Sequence, residues 1–156
     1  MTSNSATSTK KWPLEGIKVL DLGQIYNGPY AGFLLAHAGA DVVKVEPLSG
    51  EVLRERGGGE VPLSFAMLNT NKRGITINLK ESKGKNLLLE LAGEADVLLE
   101  NFAPGAMERL DLGIDLFLEK NPRLIYASGS GYGLTGPKKD NPVSYTHLTL
   151  PTSDLV

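Results

Sequence analysis

The chain has 156 residues, of which 41% are apolar, and this is enough for the core of one domain. Sixteen basic and eighteen acidic residues give a net charge of −2, so no broad positive field favours nucleic acid or an anionic membrane as a partner. The lack of cysteine excludes disulfides, thiolate metal sites and a cysteine nucleophile. No apolar run approaches the roughly 20 residues that span a bilayer. The polar residues 1–12 predict a disordered tail on a cytoplasmic protein.

Strand and helix patterns alternate from Gly16 onward. GIKVLDLG predicts a buried parallel strand, NGPYAGFLLAHAGA a helix with Pro29 near its start, and DVVKVE a second strand that ends in Glu46. This order is typical of a βαβ unit with a right-handed crossover. The glycine-rich segment 47–62 predicts an exposed, mobile loop.

The alternation continues through the second half of the chain. SFAMLNTNKR predicts a short helix, GITINLK a strand with Ile75, Ile77 and Leu79 on one face, and ESKGKNLLLELAGEA an amphipathic helix. DVLLENF and RLIYASGSGYG predict two further strands, separated by a helix that breaks at Gly113 and restarts at Asp115. The pattern therefore predicts an α/β fold with a doubly wound, mostly parallel sheet, in which ligands bind at the carboxyl ends of the strands.

Polar residues and glycines gather where the predicted strands end. Lys80 follows the third strand, and Asn101 with Phe102 follows the fourth. Lys80 and Arg109 are candidate phosphate ligands, while Asn101 and Phe102 could offer an amide and a stacking face to a base. The structural alternative for each is a solvated charge or a packed aromatic ring.

The first turn, GQIYNGP, has a second interpretation as a dinucleotide site. A glycine turn followed by an acid at the end of the next strand, here Glu46, is typical of NAD binding. However, the glycines at 23, 28 and 32 do not have the G-x-G-x-x-G spacing, and Pro29 removes an N–H from the helix start that would hold a pyrophosphate. A helix start packed closely on the sheet, without a ligand, is the structural alternative.

Four ordered blocks of the chain resemble the family III CoA transferases, the carnitine and formyl-CoA transferase group that also contains the α-methylacyl-CoA racemases. The blocks are PLEGIKVLDLGQIYNGPYAGFLLAHAGADVVKVEP, NTNKRGITINLK, ADVLLENFAPGAMERLDLG and NPRLIYASGSGYGLTGP. They cover residues 13–142. The resemblance implies the N-terminal, CoA-binding part of a Rossmann-like domain, truncated before the second domain, and an interlocked homodimer in the full-length protein.

The resemblance also implies which residues contact CoA, which the enzyme uses as a substrate and not as a permanently bound cofactor. They are Tyr26, Asn27, Ile77, Asn78, Leu79, Lys80, Asn101, Phe102 and Arg109. Tyr26 stands where the formyl-CoA pattern has a glutamine, and Pro47 where it has an arginine. Arg54 or Arg56 is a candidate to replace that missing phosphate contact.

By this resemblance the full-length protein transfers CoA from an acyl-CoA to a carboxylic acid. An aspartate attacks the thioester, which gives a mixed anhydride and then an aspartyl-CoA thioester. Two alternatives stay open: proton transfer at the acyl α-carbon, as in the racemases, and a non-catalytic nucleotide-binding module.

The segment after residue 142 does not fit the family pattern. Val143, Ser144 and Tyr145 stand where a Gly-x-Asp motif is expected, and neither Asp154 nor His147 has a catalytic context. One back-translation of PVSYTHLTLPT matches a transposase-based sequencing adapter. We interpret residues 143–156 as a non-native tail, so the expected catalytic aspartate lies beyond the fragment and the fragment is inactive. A natural, divergent terminus is the alternative.

Overall fold

The computed structural model describes residues 12–55, 62–139 and 141, and within them five parallel strands form one sheet in the order β3-β2-β1-β4-β5. The strands are β1 (Lys18–Asp21), β2 (Asp41–Glu46), β3 (Arg73–Thr76), β4 (Val97–Glu100) and β5 (Ile125–Ser128). Register pairs Leu20 with Val43 on one side and with Leu98 on the other. The predicted α/β class, with a Rossmann-like parallel sheet, is confirmed.

Five α-helices connect these strands within the described ranges. They are α1 (Asn27–His37), α2 (Leu63–Asn69), α3 (Ser82–Gly93), α4 (Ala106–Arg109) and α5 (Ile114–Lys120). The predicted break at Gly113 is confirmed, since α4 and α5 lie on either side of it. None of the helices in this part of the chain combines the length and the apolar character that crossing a membrane requires.

Apolar side chains cover the sheet on both faces, as a doubly wound fold requires. Val19 and Leu99 pack on the face that α1 covers, together with Ala36. Their neighbours Leu20 and Leu98 point to the opposite face, where the core includes Leu88 of α3 and Phe117 of α5. Successive strand residues alternate between the two faces, so both helix layers are anchored by the same short strands.

Two sequence expectations differ from the structure. β3 ends at Thr76, so Ile77 and Leu79 lie in the following turn, although both still pack on the predicted apolar face. The expectation of an exposed loop is wrong at Glu51 and Leu53, which are 2% and 1% exposed beside a short 3-10 turn at Val52–Arg54.

Several predictions concern residues outside the described ranges. These are the disordered tail at residues 1–11, the candidate Arg56, and the tail at 143–156 with His147 and Asp154. Trp12, the last residue of the predicted N-terminal tail, is described, and its carbonyl accepts a hydrogen bond from the Glu15 N–H at 3.1 Å.

Candidate functional site

The direction of the strand connections changes between β1 and β4, where those of neighbouring strands leave the sheet on opposite faces. The chain leaves β1 for α1 on one face, whereas α3 and α5 cover the other face. In sheets of this type the switch between neighbouring strands leaves room for a ligand outside their carboxyl ends. β1 and β4 are the strands at the switch here.

The amide of Asn101 ties the turn after β4 to the turn after β1. The Gln24 N–H donates to Asn101 Oδ1 at 2.6 Å, and Asn101 Nδ2 donates to the Gln24 carbonyl at 2.9 Å. A methyl group on Gly28 would lie 2.9 Å from Asn101 Oδ1, so this position needs glycine for the close approach. Asn101 therefore fixes the position of the turn after β1 through its backbone, a role that the place of Asn101 after β4 did not by itself predict.

Tyr26 and Asn27 lie at the start of α1, at the same edge of the sheet. Tyr26 is 43% exposed, and the Asn27 side chain is also exposed. A methyl group built on Gly129, just after β5, would lie 3.4 Å from both Asn27 Nδ2 and Asn101 Cβ. The turns after β1, β4 and β5 therefore converge, as the sequence predicted for residues at strand ends.

The turn after β3 carries four of the predicted contact residues, and they divide by burial. Ile77 is 4% exposed and Leu79 is half-buried, and both pack in the core that includes Leu88. Asn78 Oδ1 accepts a hydrogen bond from the Lys80 N–H at 3.1 Å, which fixes the turn. The Lys80 side chain is exposed, so of these residues it is the cation that faces solvent.

Phe102 and Arg109 belong to the segment after β4. Phe102 is half-buried and packs against the same core, and its N–H donates to Glu100 Oε2 at 2.8 Å. Arg109, at the end of α4, is exposed, and its Nη1 donates to the Pro104 carbonyl at 3.4 Å. The partly packed ring leaves less of Phe102 available for stacking than its position after β4 suggested.

The segments that carry Lys80 and Arg109 pass close to each other. Lys85 in α3 pairs with Asp111 at 2.8 Å, five residues after Lys80 and two residues after Arg109. Neither Lys80 nor Arg109 forms an ion pair with another residue of the described ranges. Their charges are therefore free to meet an anion at this edge.

Glu46 and Arg54 form a partly buried pair at the end of β2. Arg54 Nε and Nη2 donate to the two Glu46 carboxylate oxygens at 2.6 and 2.8 Å, and the guanidinium lies 4.0 Å above the Phe65 ring. Burial favours a raised pKa at Glu46, but the bonds from Arg54 and from the Glu51 N–H outweigh it and lower the pKa below 4.5.

This geometry argues against two sequence interpretations. Both Glu46 oxygens accept bonds from Arg54, so Glu46 does not offer a free carboxylate to a ribose hydroxyl, as NAD binding requires. The suggestion that Arg54 replaces the arginine missing at Pro47 is weakened in the same way, because two of its donors are committed to Glu46.

A second set of charges lies deeper, beneath the turn after β1. Lys72 donates to Asp21 Oδ2 at 2.7 Å and to the Pro29 carbonyl at 2.7 Å, and the two paired side chains are at most 1% exposed. Burial lowers the pKa of Lys72, and the neighbouring Asp21 charge opposes this change. Lys44 and Glu51 form a second buried pair at 3.2 Å.

The sequence patterns above did not predict these buried charges, although one signal was present. A buried parallel strand is normally apolar throughout, and Lys44 interrupts DVVKVE between two valines. A lysine at such a position requires a buried partner. In the described part of the chain, no three His, Asp or Glu side chains are grouped as metal ligands would be.

Comparison with known proteins identifies the family. The model of the CoA-transferase family III matches residues 14–149. An acyl-CoA transferase of Fusarium pseudograminearum is 44% identical over 85% of this chain and 32% of its own length. A formyl-CoA:oxalate CoA-transferase of Streptomyces avermitilis is 48% identical over 81% of the chain and 32% of its own length. The chain belongs to the CoA-transferase family III.

A solved structure supports the same assignment. A CAIB/BAIF family protein from Brucella suis superposes with a TM-score of 0.80 at 37% identity, over 85% of this chain and 37% of that one. The chain spans about a third of the length of the curated relatives it matches.

Proposed function

We propose that residues 13–142 are the CoA-binding part of an enzyme that transfers CoA from an acyl-CoA to a carboxylic acid. The observation that carries this proposal is the placement of Lys80 and Arg109, two cations without an ion pair among the described residues. They lie on the segments that follow β3 and β4, at the sheet edge where the turns after β1, β4 and β5 converge. CoA carries phosphates at one end and a flexible thiol arm at the other. Exposed cations at the same sheet edge as the turns that carry Asn27 and Asn101 suit that combination.

In this proposal, different contact residues bind different parts of CoA. Lys80 and Arg109 bind the phosphates, and the exposed part of Phe102 contacts the adenine. Tyr26 and Asn27 line the path of the thiol arm at the start of α1. Ile77, Asn78 and Leu79 shape the phosphate end through their backbone, because the two apolar side chains are committed to the core.

The chemical step requires a carboxylate that this part of the chain does not supply. Its oxygen attacks the thioester carbonyl carbon, and the C–S bond breaks. The CoA thiolate is the leaving group, and the acyl group stays on the carboxylate as a mixed anhydride. The thiolate then attacks the enzyme's own acyl carbon, which releases the donor acid and leaves an aspartyl-CoA thioester. Asp21 is unsuited to this role, because it is fully buried and paired with Lys72.

The same proposal extends to the rest of the protein. In this proposal the nucleophilic aspartate belongs to a longer parent chain, and residues 143–156 are not its natural continuation, although the family model's match extends to residue 149. The exposed apolar residues Tyr30 and Leu34 on α1 and Leu63 and Met67 on α2, between 50% and 84% exposed, favour a partner surface. A second copy of the parent chain would cover them.

Calorimetric titration of CoA into the chain tests the binding step. We expect Lys80→Ala/Arg109→Ala to bind CoA at least about tenfold more weakly, since one charge-assisted contact contributes about 1.5 kcal/mol. Lys120→Ala/Arg123→Ala is the matched control: it removes the same two charges from exposed positions just before β5, at the opposite edge. Equal CoA affinity in both double variants would contradict the proposed site.

The transfer step is tested on the gene extended beyond codon 142 at its genomic locus. The expected product transfers CoA between an acyl-CoA and a carboxylic acid, and the 156-residue chain does not. Exchange of the acyl α-proton without transfer would support the racemase alternative. CoA binding without either reaction would support a non-catalytic module.

A further inference from the structure

The buried pair of Lys44 and Glu51 anchors the turn after β1. Lys44 Nζ donates to the Gly23 carbonyl, and the Ile25 N–H donates to Glu51 Oε1 at 2.6 Å. The two side chains are 3% and 1% exposed, with 3.2 Å between Lys44 Nζ and Glu51 Oε2. One ion pair therefore fixes the backbone on both sides of Gln24.

The backbone that this pair holds is strained at Ile25. Its φ is +64°, in the left-handed region, which a β-branched residue adopts only when its surroundings impose it. The Ile25 side chain packs against Leu53, Phe65 and Leu68. Both the main chain and the side chain of Ile25 are therefore constrained in a conformation that it would not adopt by itself.

Glu51 is in turn fixed by its neighbours. Its N–H donates to Glu46 Oε2 at 3.0 Å, and Glu46 is held by Arg54. The Glu51 Oε2 atom has no hydrogen bond within the described residues and meets only the charge of Lys44. A buried pair of this kind contributes little net stability, because desolvation of the two ions offsets their attraction. A conformational role explains its presence better than stability does.

We propose that Lys44 and Glu51 are positioning residues that set the turn at residues 23–27 in the conformation that presents Tyr26 and Asn27 to the ligand. Asn101 fixes Gln24 from the side of β4, and the buried pair fixes its two neighbours from the side of β2. This inference rests on the proposed CoA site. It adds that the shape of the thiol end of that site depends on charges that do not touch the ligand.

The test replaces the pair with apolar side chains of similar length, in Lys44→Met/Glu51→Met. Replacing a buried ion pair is close to neutral in itself. Here the Ile25 N–H and the Gly23 carbonyl also lose their partners, so the midpoint of thermal unfolding should fall by a few degrees. The turn loses its two anchors. We therefore expect CoA affinity, measured by calorimetry, to fall by at least about tenfold, the same loss that removal of one charge-assisted contact would cause. Asp41→Asn/Arg73→Met, which removes an ion pair at the amino ends of β2 and β3, is the control and should change neither quantity.

A conservative variant separates positioning from general packing. Lys44→Met/Glu51→Gln keeps an acceptor for the Ile25 N–H and loses only the anchor on Gly23. We expect it to recover part of the affinity that the Met/Met variant loses. Wild-type affinity in the Met/Met variant, or equal losses in all three double variants, would overturn the proposal.

Amide hydrogen exchange of the wild-type chain gives a measurement that needs no variant. The Ile25 N–H should exchange slowly, because it bonds to a buried carboxylate in a fixed turn. Exchange as fast as in the exposed turn at residues 133–136 would overturn the inference even if the Met/Met chain does not fold. Failure of the wild-type chain to bind CoA would instead defeat the proposed function, and with it the ligand role of this turn.

Discussion

Two parts of the carboxyl edge differ sharply in how they are held. The turn after β1 is hydrogen-bonded to Lys44 of β2, to Glu51 in the chain after β2 and to Asn101 in the turn after β4. Lys80 lies in the turn after β3 and Arg109 at the end of α4. Their polar contacts are local, and both side chains are exposed. The first part is therefore held by residues distant in the sequence, whereas the second is held by its own segment alone.

The difference matches the two demands of the proposed ligand. A narrow path for the thiol arm requires backbone held to a fraction of an ångström, because one misplaced turn closes it. Phosphates require charge more than exact position, and long cationic side chains can follow them. Substitutions in the first part should therefore change stability and binding together, while those in the second should change binding alone.

The largest effect is expected when one partner of the deepest ion pair is removed. Lys72→Met leaves Asp21 charged, fully buried and unpaired beside the turn after β1. We expect the free energy of unfolding in urea to fall by about 3–5 kcal/mol, the usual cost of an uncompensated buried charge. Because the Pro29 carbonyl also loses its donor, CoA binding should weaken with it.

A double variant and a surface pair serve as controls for this prediction. Asp21→Asn/Lys72→Met removes both charges and should recover much of the loss. Breaking the exposed Asp41–Arg73 pair with Arg73→Met should cost at most about 1 kcal/mol. If Lys72→Met cost no more than Arg73→Met, the turn would not depend on buried charge, and the contrast between the two parts would fail.

The next largest effect concerns the close approach of the turns after β1 and β4. A methyl group at Gly28 would lie 2.5 Å from Gly23 Cα and 2.9 Å from Asn101 Oδ1, and the first of these atoms is backbone that cannot rotate away. We expect Gly28→Ala to lower the free energy of unfolding by about 1–3 kcal/mol. It should also separate Asn101 from Gln24 and weaken CoA binding.

Gly74 provides the matched control for this substitution. It lies in β3, and a methyl group built there meets no atom within 4 Å. Gly74→Ala should leave stability and CoA affinity unchanged within about 0.5 kcal/mol. Similar losses in both variants would show that the loss at Gly28 does not come from the contact between the two turns.

The fold was predictable because each strand pattern was short, apolar and followed by a clear break. β2 lies at Asp41–Glu46, as the segment DVVKVE predicts, and parallel strands place their carboxyl ends at one edge by geometry alone. That is why the convergence of Asn27 and Asn101 followed from the sequence. The end of β3 was misplaced, because Ile77 and Leu79 keep the apolar alternation after the strand has stopped.

The interior of the site was not predictable in the same way. Ile25 has a residue type that disfavours positive φ, so no local pattern indicated its conformation. Glu51 lies in a glycine-rich stretch that is typical of an exposed loop, and its burial depends on Lys44, Leu53 and the turn after β1. Contacts between residues far apart in sequence determine such features, and single-sequence patterns do not carry that information.

A smaller, pH-dependent effect is expected at Glu46. Its pKa in the folded chain lies below its ordinary value of 4.5, so at pH values between the two the unfolded chain binds more protons. The stabilisation is therefore present above pH 4.5 and is lost as pH falls through the lower, folded-state value. Glu46→Gln should cost about 1 kcal/mol at neutral pH, and the difference from wild type should shrink on acidification.

The control for this titration is the exposed Glu94, whose contact with Lys18 at 3.4 Å lies in solvent. Glu94→Gln should differ little from wild type at any pH in the same denaturation series. A difference between Glu46→Gln and wild type that stayed constant from pH 7 to pH 3 would show that the Arg54 contact does not depend on the charge of Glu46.

The smallest expected effect is a difference in the salt dependence of CoA binding. It distinguishes the exposed cations Lys80 and Arg109 from the turn at residues 23–27. Exposed charges are screened over about 8 Å at 0.15 M salt, whereas the buried hydrogen bonds around Ile25 are not. Raising the ionic strength from low salt should therefore weaken CoA binding by a few-fold in the wild type. The slope against salt should be smaller in Lys80→Ala/Arg109→Ala and unchanged in Lys44→Met/Glu51→Met. The opposite pattern would place the phosphate end at the turn after β1 and reverse the division of roles between the two parts of the edge.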